Sequence, residues 1–559
     1  MSESYSLGID FGTSSVRALI VHTASGREVG TAFSSYPHGQ AGVLLDTSVV
    51  GLARQRPADH LSCLQECVLE AIENAGPNFD AHAIIGIGVD ATGSSPLPLD
   101  AGGQPLAFDE RFKNDLNAQV WLWKDHTGHE EAATITAKAR EMRPEYLAKC
   151  GGIYSAEWFW AKAWHCLNVS PEVFSAAHTW VEYVDWIPAV LTGTDQPDSI
   201  RRGICAAGHK AMYHESWGGF PDQEFIAALD PDLLPLRESL PTTTYSIADK
   251  AGDLIEEWAQ RFGMPAGIPV AIGAFDAHLG GVGSGVRPGT LVKIIGTSTC
   301  DILTAPLESD LPDIPGLCGI VPESVLPDNY GLEAGQSGVG DIFNWLVEVI
   351  RPDQMDHDAL TAGAETLVPG ESGLLALDWH NGNRTVLVDQ RLTGLILGMS
   401  THSTPAQIYR SLIEATAFGA RIIIDRFEEY GISIDQVISC GGVSEKNALL
   451  LQIYADVLNR PMHISGSTET CALGAAIAGS VAAGSINGGW DAFEDAIDAM
   501  TSVRDERFDP IPENVKTYDT LFGLYKELHD AFGITGTRND LSGVMKTLLN
   551  LRDKTSGDN

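Results

Sequence analysis

The sequence predicts an α/β protein made of two similar halves. Strand and helix patterns alternate along the N-terminal half, which is typical of an α/β domain. Two apolar runs, residues 7–14 and 292–299, each break into Gly-Thr-Ser, and one lies in each half. The 559 residues are too many for a single hydrophobic core. We therefore expect two domains, with the two Gly-Thr-Ser segments facing a common cleft.

Each Gly-Thr-Ser segment is a candidate phosphate-binding turn, because its backbone N–H groups can approach and donate to phosphate. The strand pattern resumes at residues 16–21, so we predict a hairpin loop and not the strand-to-helix loop of a Walker motif. The chain has no Gly-Lys-Ser/Thr, which argues against a P-loop fold. Ordinary turn chemistry explains either copy alone, but the repetition at matching places favours phosphate binding.

The formal net charge of −38 opposes binding to nucleic acid or to an anionic membrane. It also repels nucleotide phosphates, so a phosphate site has to be built locally from backbone amides and a divalent cation. The nine cysteines are scattered without Cys-x-x-Cys pairs, which predicts free thiols in a reducing compartment. The N-terminus lacks a signal-peptide pattern, and residues 471–483 are too few to span a bilayer. We expect a cytoplasmic protein.

The first half opens with a β-meander and continues as alternating helix and strand. We predict strands at 6–9, 16–22, 28–34, 83–89 and 97–100, and a helix at 58–75. The spacing Gly86-x-Gly88 superficially fits a dinucleotide-binding fingerprint. We reject that interpretation because both glycines lie inside the apolar run, and Pro96 and Pro98 oppose the helix that should follow.

Residues 105–215 carry many aromatic side chains, with tryptophans grouped near 121–123, 158–160 and 180–186. Such density fits either a packed helical insert or the wall of a sugar pocket, and both interpretations stay open. Trp123, Lys124 and Asp125 suit bracing of the pocket as well as ligand contact. Residues 201–210 read as a polar loop.

The Gly-rich segment 265–289 suits a hinge or close packing of a helix, and it sets the predicted boundary between domains 1–287 and 288–559. In the second half we predict helices at 339–350, 405–430 and 445–458, strands at 436–439 and 462–464, and a small-residue helix from about 469. A strand followed by Gly441-Gly442 and a helix start is typical of a phosphate or nucleoside cradle. Beyond about residue 505 we expect a helical tail with disordered last residues.

The two hairpins, the Gly-Ala-Phe-Asp276 sequence, Cys-Gly-Gly442 and the Ala-Leu-Gly-Ala-Ala run at 472–476 resemble the FGGY carbohydrate kinases over nearly the whole chain. The resemblance implies a duplicated actin/hexokinase-like (ribonuclease H-like) ATPase fold, with an N-terminal sugar domain and a C-terminal nucleotide domain. It also implies ATP and Mg²⁺.

Four segments, at 90–98, 121–126, 208–214 and 330–336, are most similar to family members that phosphorylate L-ribulose on O5 in L-arabinose catabolism. At Thr92-Gly93-Ser94, the family's glycerol kinases have Gln-Arg-Glu and its D-xylulose kinases Gln-Met-His. This departure argues against glycerol and D-xylulose as substrates.

The resemblance also assigns roles. Asp276 would accept the proton of the attacking hydroxyl, which suits phosphoryl transfer because little other covalent help is needed. Asp10 would hold Mg²⁺ through water. The remaining assignments are Gly12, Thr13 and Ser14 on the γ-phosphate; Gly296, Thr297 and Ser298 on the other phosphates; Gly441, Gly442 and Asn447 on the adenosine side; and Lys210, Glu333, Gly93, Ser94 and Ser95 at the sugar. His126 and His278 are expected to be structural.

Two alternatives remain. One is a related kinase for D-ribulose, ribitol or D-xylulose, since the deciding hydroxyl contacts depend on three-dimensional placement. The other is a non-catalytic actin-like ATPase, which Asp276, Lys210 and the Trp-rich insert argue against. The sequence does not set the oligomeric state, and a homodimer stays open.

Overall fold

A computed structural model describes residues 3–543 and residue 546. Eleven strands belong to the first half and nine to the second among these residues. In chain order they are β1 (Tyr5–Phe11), β2 (Ser15–His22), β3 (Glu28–Ser35), β4 (Arg54–Gln55), β5 (Ile84–Ala91), β6 (Pro96–Leu99), β7 (Val120–Trp121), β8 (Thr179–Glu182), β9 (Lys250–Asp253), β10 (Pro269–Ala271), β11 (Ala274–Phe275), β12 (Gly289–Ile295), β13 (Thr299–Pro306), β14 (Gly319–Pro322), β15 (Asn329–Ala334), β16 (Leu375–Leu377), β17 (Leu395–Leu397), β18 (Ile434–Cys440), β19 (Met462–Ser465) and β20 (Val503–Phe508).

The α-helices cover the sheets and build the insert. They are α1 (Pro57–Asn74), α2 (His129–Met142), α3 (Pro144–Ala148), α4 (Phe159–Val169), α5 (Pro171–Ala176), α6 (Tyr183–Thr192), α7 (Ile204–Lys210), α8 (Gln223–Leu229), α9 (Leu234–Ser239), α10 (Glu256–Phe262), α11 (Asp276–Gly283), α12 (Gly340–Asn344), α13 (His357–Glu365), α14 (Pro405–Glu429), α15 (Ala448–Leu458), α16 (Thr470–Ala483), α17 (Phe493–Met500) and α18 (Pro512–Gly533).

The two large sheets repeat one plan. In the first, the order is β3-β2-β1-β5-β10-β9, with β11 also paired to β5. In the second, the order is β14-β15-β13-β12-β18-β19-β20. Each sheet contains an antiparallel hairpin, β1–β2 or β12–β13, whose first strand pairs in parallel with a later strand, β5 or β18. The predicted α/β class, its duplication and both Gly-Thr-Ser hairpins are confirmed.

The halves are joined by helices that pack through small residues. Helix α16, from the second half, lies against β1 and β5 of the first sheet and against α11. A Cβ atom on Gly8 or Gly88 would overlap the carbonyl oxygen of Ala472 or Ala475, and one on Gly474 would overlap that of Leu279. Glycine is required at these places because two backbones touch there. This contact also explains Gly86 and Gly88 without a dinucleotide.

The aromatic insert is mainly a separate packed core. Trp121, Trp160 and Trp180 are fully buried together with side chains of the helices α2 to α5 and α7 to α9. Strands β6 and β8 connect this core to the first sheet as an antiparallel pair. The insert therefore supports the packing interpretation, although part of its surface reaches the site described below.

Several expectations change in the structure. Residues 204–210 form helix α7 and not a polar loop, and the tail begins with strand β20 before α18. Helix α12 continues as a π-helix over Trp345–Ile350. Helix α15 starts only after Asn447, because the Asn447 side chain caps it. The boundary after residue 287 stays a prediction, and the predicted disorder of the last residues falls outside the described residues.

All nine cysteines are free thiols in the described chain, as predicted, and seven of them are buried. Burial raises the pKa of several, including Cys67 to about 12, so these thiols are protonated at neutral pH. No helix within residues 3–543 is both long and apolar enough to cross a membrane.

The backbone contact at Gly474 predicts a stability effect. Gly474→Ala should lower the free energy of unfolding by about 1–3 kcal/mol, because the added methyl group overpacks the α11–α16 contact. Gly523→Ala is the matched control, since Gly523 is exposed within α18 and an added Cβ meets nothing within 4 Å. There the better helix propensity should stabilise by up to about 1 kcal/mol. Thermal unfolding of both variants would test this; equal effects would contradict it.

Candidate active site

Three parallel strands deliver three carboxylates to one edge of the first sheet. Asp10 on β1 lies opposite Asp90 on β5, and Ala274 on β11 lies opposite Asp90 from the other side. Asp276 follows β11 directly as the first residue of α11, and its charge acts on Asp90, so it lies close to the other two acids. The sequence predicts Asp10 and Asp276 as site residues but treats Asp90 only as the start of a loop. The sequence pattern could have identified Asp90, because Asp90, like Asp10, is an acid in an otherwise apolar strand.

Asp10 raises the pKa values of both other acids, whereas its own pKa is raised by burial and lowered by a hydrogen bond with Asp90. Burial, followed by the charge of Asp10, raises the pKa of Asp276 to about 7. Burial, the Asp10 carboxylate and the Asp276 carboxylate raise the pKa of Asp90 well above its usual range. Asp90 is fully buried, whereas Asp10 and Asp276 are partly exposed. A carboxyl with a pKa near 7 is suited to proton transfer at neutral pH.

Asp276 is the first residue of α11, and the capping position before it is held by Phe275. The Oδ1 atom of Asp276 accepts a hydrogen bond of 2.7 Å from the amide of the next residue, Ala277. This bond is local and does not cap the helix, because the capping residue Phe275 has no side-chain cap hydrogen bond. Asp276 also lies at the edge of the first sheet where the three acids meet.

Each hairpin turn is closed by a backbone hydrogen bond from the amide of its first residue. The Gly12 amide donates to the Ser15 carbonyl over 3.0 Å, and the Gly296 amide donates to the Ser298 carbonyl over 2.9 Å. In the described chain, no backbone hydrogen bond uses the amides of the second and third turn residues in either hairpin. Those residues are Thr13 and Ser14 in the first turn, and Thr297 and Ser298 in the second. These N–H groups are available to a ligand.

The insert reaches the first hairpin through Trp123, which is partly exposed. Its indole Nε1 donates to the Thr13 hydroxyl over 2.9 Å, and Gln55 donates to the Thr13 carbonyl over 2.7 Å. Asp125 lies deeper, in a buried ion pair with Arg54. Asp125 therefore braces this wall, while Trp123 contacts the turn itself.

A buried ion pair joins the two halves beside Asp276. Lys210, at the end of α7, donates to both carboxylate oxygens of Glu333 on β15, over 3.2 and 3.0 Å. Burial disfavours the charge on Lys210, but the Glu333 carboxylate outweighs burial, and the pKa of Lys210 is raised. Its Nζ lies 5.4 and 5.8 Å from the ring centroids of Trp158 and Phe275. Phe275 directly precedes Asp276, so the pair and the acid edge are neighbours.

Two histidines lie behind this ion pair. His209 and His278 contact each other through their Nε2 atoms at 3.2 Å, and His209 also hydrogen-bonds to Ser324 at 2.9 Å. Burial lowers the pKa of His278 to about 4 and that of His209 further, so both are neutral at pH 7. Glu333 is kept ionised, with a lowered pKa, by the Lys210 ammonium despite its burial. His209 and Ser324 were not identified from the sequence.

His209, His278 and Glu333 have the residue types of a metal site, the only such group of three found among the described residues. The Nε2 atoms of both histidines are engaged in the contacts described above, and the Lys210 ammonium occupies both oxygens of the carboxylate. The Nδ1 atom of each histidine has no hydrogen-bond partner among the described residues. His278 is thus a structural hydrogen-bonding residue in this arrangement, as expected.

The loop after β5 is held by hydrogen bonds to the Glu182 carboxylate. Ser94 hydrogen-bonds to Glu182 through its hydroxyl, and the Ser95 amide donates to the same carboxylate over 2.7 Å. Both serines are fully buried, and Gly93 is partly exposed. A Cβ on Gly93 would overlap the Phe275 ring. Of the three predicted sugar-loop residues, Gly93 is the one that presents surface at this edge, and sugar contact by all three stays a prediction.

The second hairpin lies beside the Gly-Gly turn, as the cradle interpretation requires. Ile294 on β12 pairs with Cys440 on β18, so residues 296–298 and 441–442 follow neighbouring strands. Gly441 has φ of 93° and an added Cβ would approach the Ile295 carbonyl oxygen, whereas Gly442 faces open space. The Asn447 Oδ1 accepts from the Leu450 amide over 2.9 Å.

A cavity of about 380 Å³ adjoins this hairpin. It is lined in part by Asp341, whose amide donates to the Thr297 carbonyl over 3.1 Å. The rings of Trp345 and His380, with centroids 5.0 Å apart, form an aromatic wall. The sequence did not identify these residues as a site, since they come from segments about 40 residues apart.

Comparison with solved structures supports the fold. A xylulose kinase from Rhodospirillum rubrum has a TM-score of 0.76 at 22% identity, covering 94% of this chain and 99% of that one. A Plasmodium falciparum glycerol kinase with ADP has a TM-score of 0.76 at 17% identity, covering 94% and 98%. This likeness confirms the predicted duplicated actin/hexokinase-like fold with two domains.

Closer relatives are found in sequence. A ribulokinase from Shouchella clausii is 41% identical over 569 residues, which cover 99% of this chain and 99% of the relative. A ribulokinase from Vibrio parahaemolyticus is 39% identical over 548 residues, covering 94% and 95%. Models of the N-terminal and C-terminal domains of one family match residues 5–283 and 291–483. The chain belongs to the FGGY family of carbohydrate kinases.

Proposed function

We propose that this carbohydrate kinase transfers the γ-phosphoryl group of ATP to O5 of L-ribulose, giving L-ribulose 5-phosphate for L-arabinose catabolism. The observation that carries the proposal is identity of about 40% along nearly the whole chain with relatives named ribulokinase. The free thiols fit a reducing compartment such as the cytoplasm. A homodimer stays part of the proposal.

Lys210 and Glu333 bind the sugar in this proposal. They form a paired donor and acceptor in a pocket closed by Trp158 and Phe275, where a polyhydroxyl ligand finds both kinds of partner. Because the two residues come from different halves, a sugar that contacts both also favours closure of the cleft. Gly93, Ser94 and Ser95 complete the wall, and the bare Gly93 leaves room there.

Asp276 is the general base. It lies next to the sugar pocket, and its pKa of about 7 matches removal of a proton from a hydroxyl as the new O–P bond forms. The proton passes to a carboxylate oxygen of Asp276, and the leaving group is ADP. Exclusion of water by the closed cleft would limit hydrolysis of ATP as a competing reaction.

Mg²⁺ fits the edge formed by Asp10. Mg²⁺ prefers oxygen ligands and commonly uses one or two carboxylates together with substrate phosphates. Asp10 is partly exposed beside the buried Asp90, and among the described residues no N–H group or cation binds the Asp90 carboxylate oxygens. Bound there, the ion would neutralise phosphate charge, which this strongly acidic chain otherwise repels.

ATP binds along the two hairpins. The amides at Gly12-Thr13-Ser14 serve the γ-phosphate, and those at Gly296-Thr297-Ser298 serve the other phosphates. Gly441, Gly442 and Asn447 approach the adenosine. The adjoining cavity with its Trp345 and His380 wall has the apolar and aromatic character that a nucleobase favours.

The substrate assignment is tested by ADP release from Mg²⁺-ATP with L-ribulose, D-ribulose, D-xylulose, ribitol, glycerol or no sugar. We expect the highest kcat/KM with L-ribulose, because the sugar pocket belongs to a chain most similar to ribulokinases. Comparable rates with several pentoses would support the kinase activity but contradict L-ribulose as the specific substrate. Release independent of sugar would contradict the kinase proposal.

The base assignment predicts a loss of turnover in Asp276→Asn. This isostere keeps the shape but accepts no proton, so kcat should fall by about 100- to 10,000-fold. ATP affinity, measured by calorimetry, should stay close to that of the wild type. Retention of full kcat would exclude Asp276 as the base.

The sugar contact predicts a specific defect in Lys210→Met. The KM for sugar should rise about 10- to 100-fold, because a hydrogen bond to a charged group is worth about 1.5–3 kcal/mol, while the KM for ATP should not change. The matched control is Lys293→Met, which breaks a buried pair with Asp301 at 2.9 Å in the second sheet. Both variants should lose about 3–5 kcal/mol of stability. An equal rise in sugar KM for both would indicate a structural effect only.

A further inference from the structure

Asp90 is a fully buried acid that lacks the partners a buried acid normally has. Among the described residues its hydrogen-bonding side-chain neighbour is Asp10, another acid, and no N–H group or cation donates to it. The charges that act on it are those of Asp10 and Asp276, and both are negative. Buried charges are ordinarily paired or bound to a metal, since burial without compensation is costly.

Other buried aspartates in this protein show what a structural role looks like. Asp301 is paired with Lys293, and Asp125 is paired with Arg54. Asp378 accepts hydrogen bonds from Gln336 and Tyr525. Asp90 differs from these three because its neighbours add negative charge instead of cancelling it.

The fold itself does not require an acid at this place. The second sheet repeats the same strand pairing, and when the two Gly-Thr-Ser turns are superposed in sequence, Asp10 corresponds to Ile294. The parallel partner of Asp10 is Asp90, and the parallel partner of Ile294 is Cys440. The same backbone arrangement is thus built without any carboxylate pair.

The register directs Asp90 toward the proposed cation position. Asp10 and Asp90 are direct partners across parallel strands, so their side chains share a face of the sheet. Asp10 is partly exposed at the edge beneath the first hairpin, and Asp90 lies behind it. A divalent cation at Asp10 would therefore have a second carboxylate directly available.

We propose that Asp90 acts with Asp10 as a carboxylate pair that binds the divalent cation, which makes Asp90 a second cation-binding residue in the first hairpin region. The inference rests on the proposed phosphoryl transfer for its biological role. Its chemistry does not depend on sugar or turnover, since two adjacent carboxylates are a sufficient attraction for a divalent cation.

Mn²⁺ is a suitable probe because free Mn²⁺ is measured directly by electron paramagnetic resonance. Mn²⁺ is titrated, without nucleotide or sugar, into four full-length proteins: the wild type, Asp90→Asn, Asp10→Asn and the double variant. We expect the Kd for Mn²⁺ to rise about 10- to 100-fold in each single variant. The double variant should bind Mn²⁺ only slightly more weakly than either single variant, because the two carboxylates act together.

Asp185→Asn is the matched control. Asp185 is also a buried aspartate, but it accepts a hydrogen bond of 2.8 Å from the Gly203 amide and lies outside the carboxylate cluster. Its substitution should leave the Kd for Mn²⁺ unchanged. Wild-type affinity in Asp90→Asn, or an equal loss in Asp185→Asn, would overturn the proposal.

Thermal unfolding in EDTA and in excess Mg²⁺ gives a second readout. Asp90→Asn removes a buried acid that lies beside two other acids, so its Tm in EDTA should equal or exceed that of the wild type, and the rise in Tm with Mg²⁺ should be smaller. A metal-independent loss of stability would instead mark Asp90 as structural. If Asp90→Asn does not fold, Asp90→Ser is used. Failure of both to fold would also overturn the proposal.

The two proposals fail separately. A wild-type protein that phosphorylates sugar, with normal Mn²⁺ binding in Asp90→Asn, would refute the role of Asp90 alone. A wild-type protein that phosphorylates no sugar, with Mn²⁺ binding lost in Asp90→Asn, would refute the proposed function and retain the cation pair.

Discussion

The direct contact of α16 with β1, β5 and α11 is the constraint on which the site depends. Glycines at Gly8, Gly88 and Gly474 bring backbones together, and nothing larger fits at these positions. Helix α16 belongs to the second half of the chain but covers the first sheet. The strands that carry Asp10 and Asp90 are thereby held on a surface that both halves share. Side-chain packing alone would leave these elements further apart and less precisely placed.

Electrostatics then determines what this shared surface can bind. The chain carries a formal charge of −38, and three acids meet at the edge of the first sheet. The Lys210 ammonium is paired with Glu333, at 3.0 Å, and at the acid edge its charge only partly offsets the raised pKa of Asp276. An anionic nucleotide can approach such an edge only with added positive charge and with backbone amides as donors. In the proposed function, the two hairpin turns supply the amides, and a divalent cation supplies the charge.

Local patterns predicted much of this fold from the sequence. The apolar run of β1, the turn at Gly12 and the return into β2 are determined by neighbouring residues, and so is α14, where Thr404 and Gln407 form a capping box. Helix α7 was misjudged because its glycines and charges resemble a loop, whereas the burial of its last residue, Lys210, is set by contacts made far along the chain. The His209–Ser324 hydrogen bond spans 115 residues in sequence. No local pattern specifies that contact.

The duplicated halves have diverged at the positions that decide their chemistry. Both contain a Gly-Thr-Ser hairpin beside a parallel strand, so both offer turn amides to phosphate. Only the first places acids on the paired strands, while the second has Ile294 and Cys440 there. An apolar pair beside a phosphate turn favours binding of the nucleotide without a cation of its own. In the proposed function, the acid pair beside the other turn favours the cation, and Asp276 at the start of α11 is the base. One duplicated scaffold thus yields a binding half and a reacting half through a few side chains.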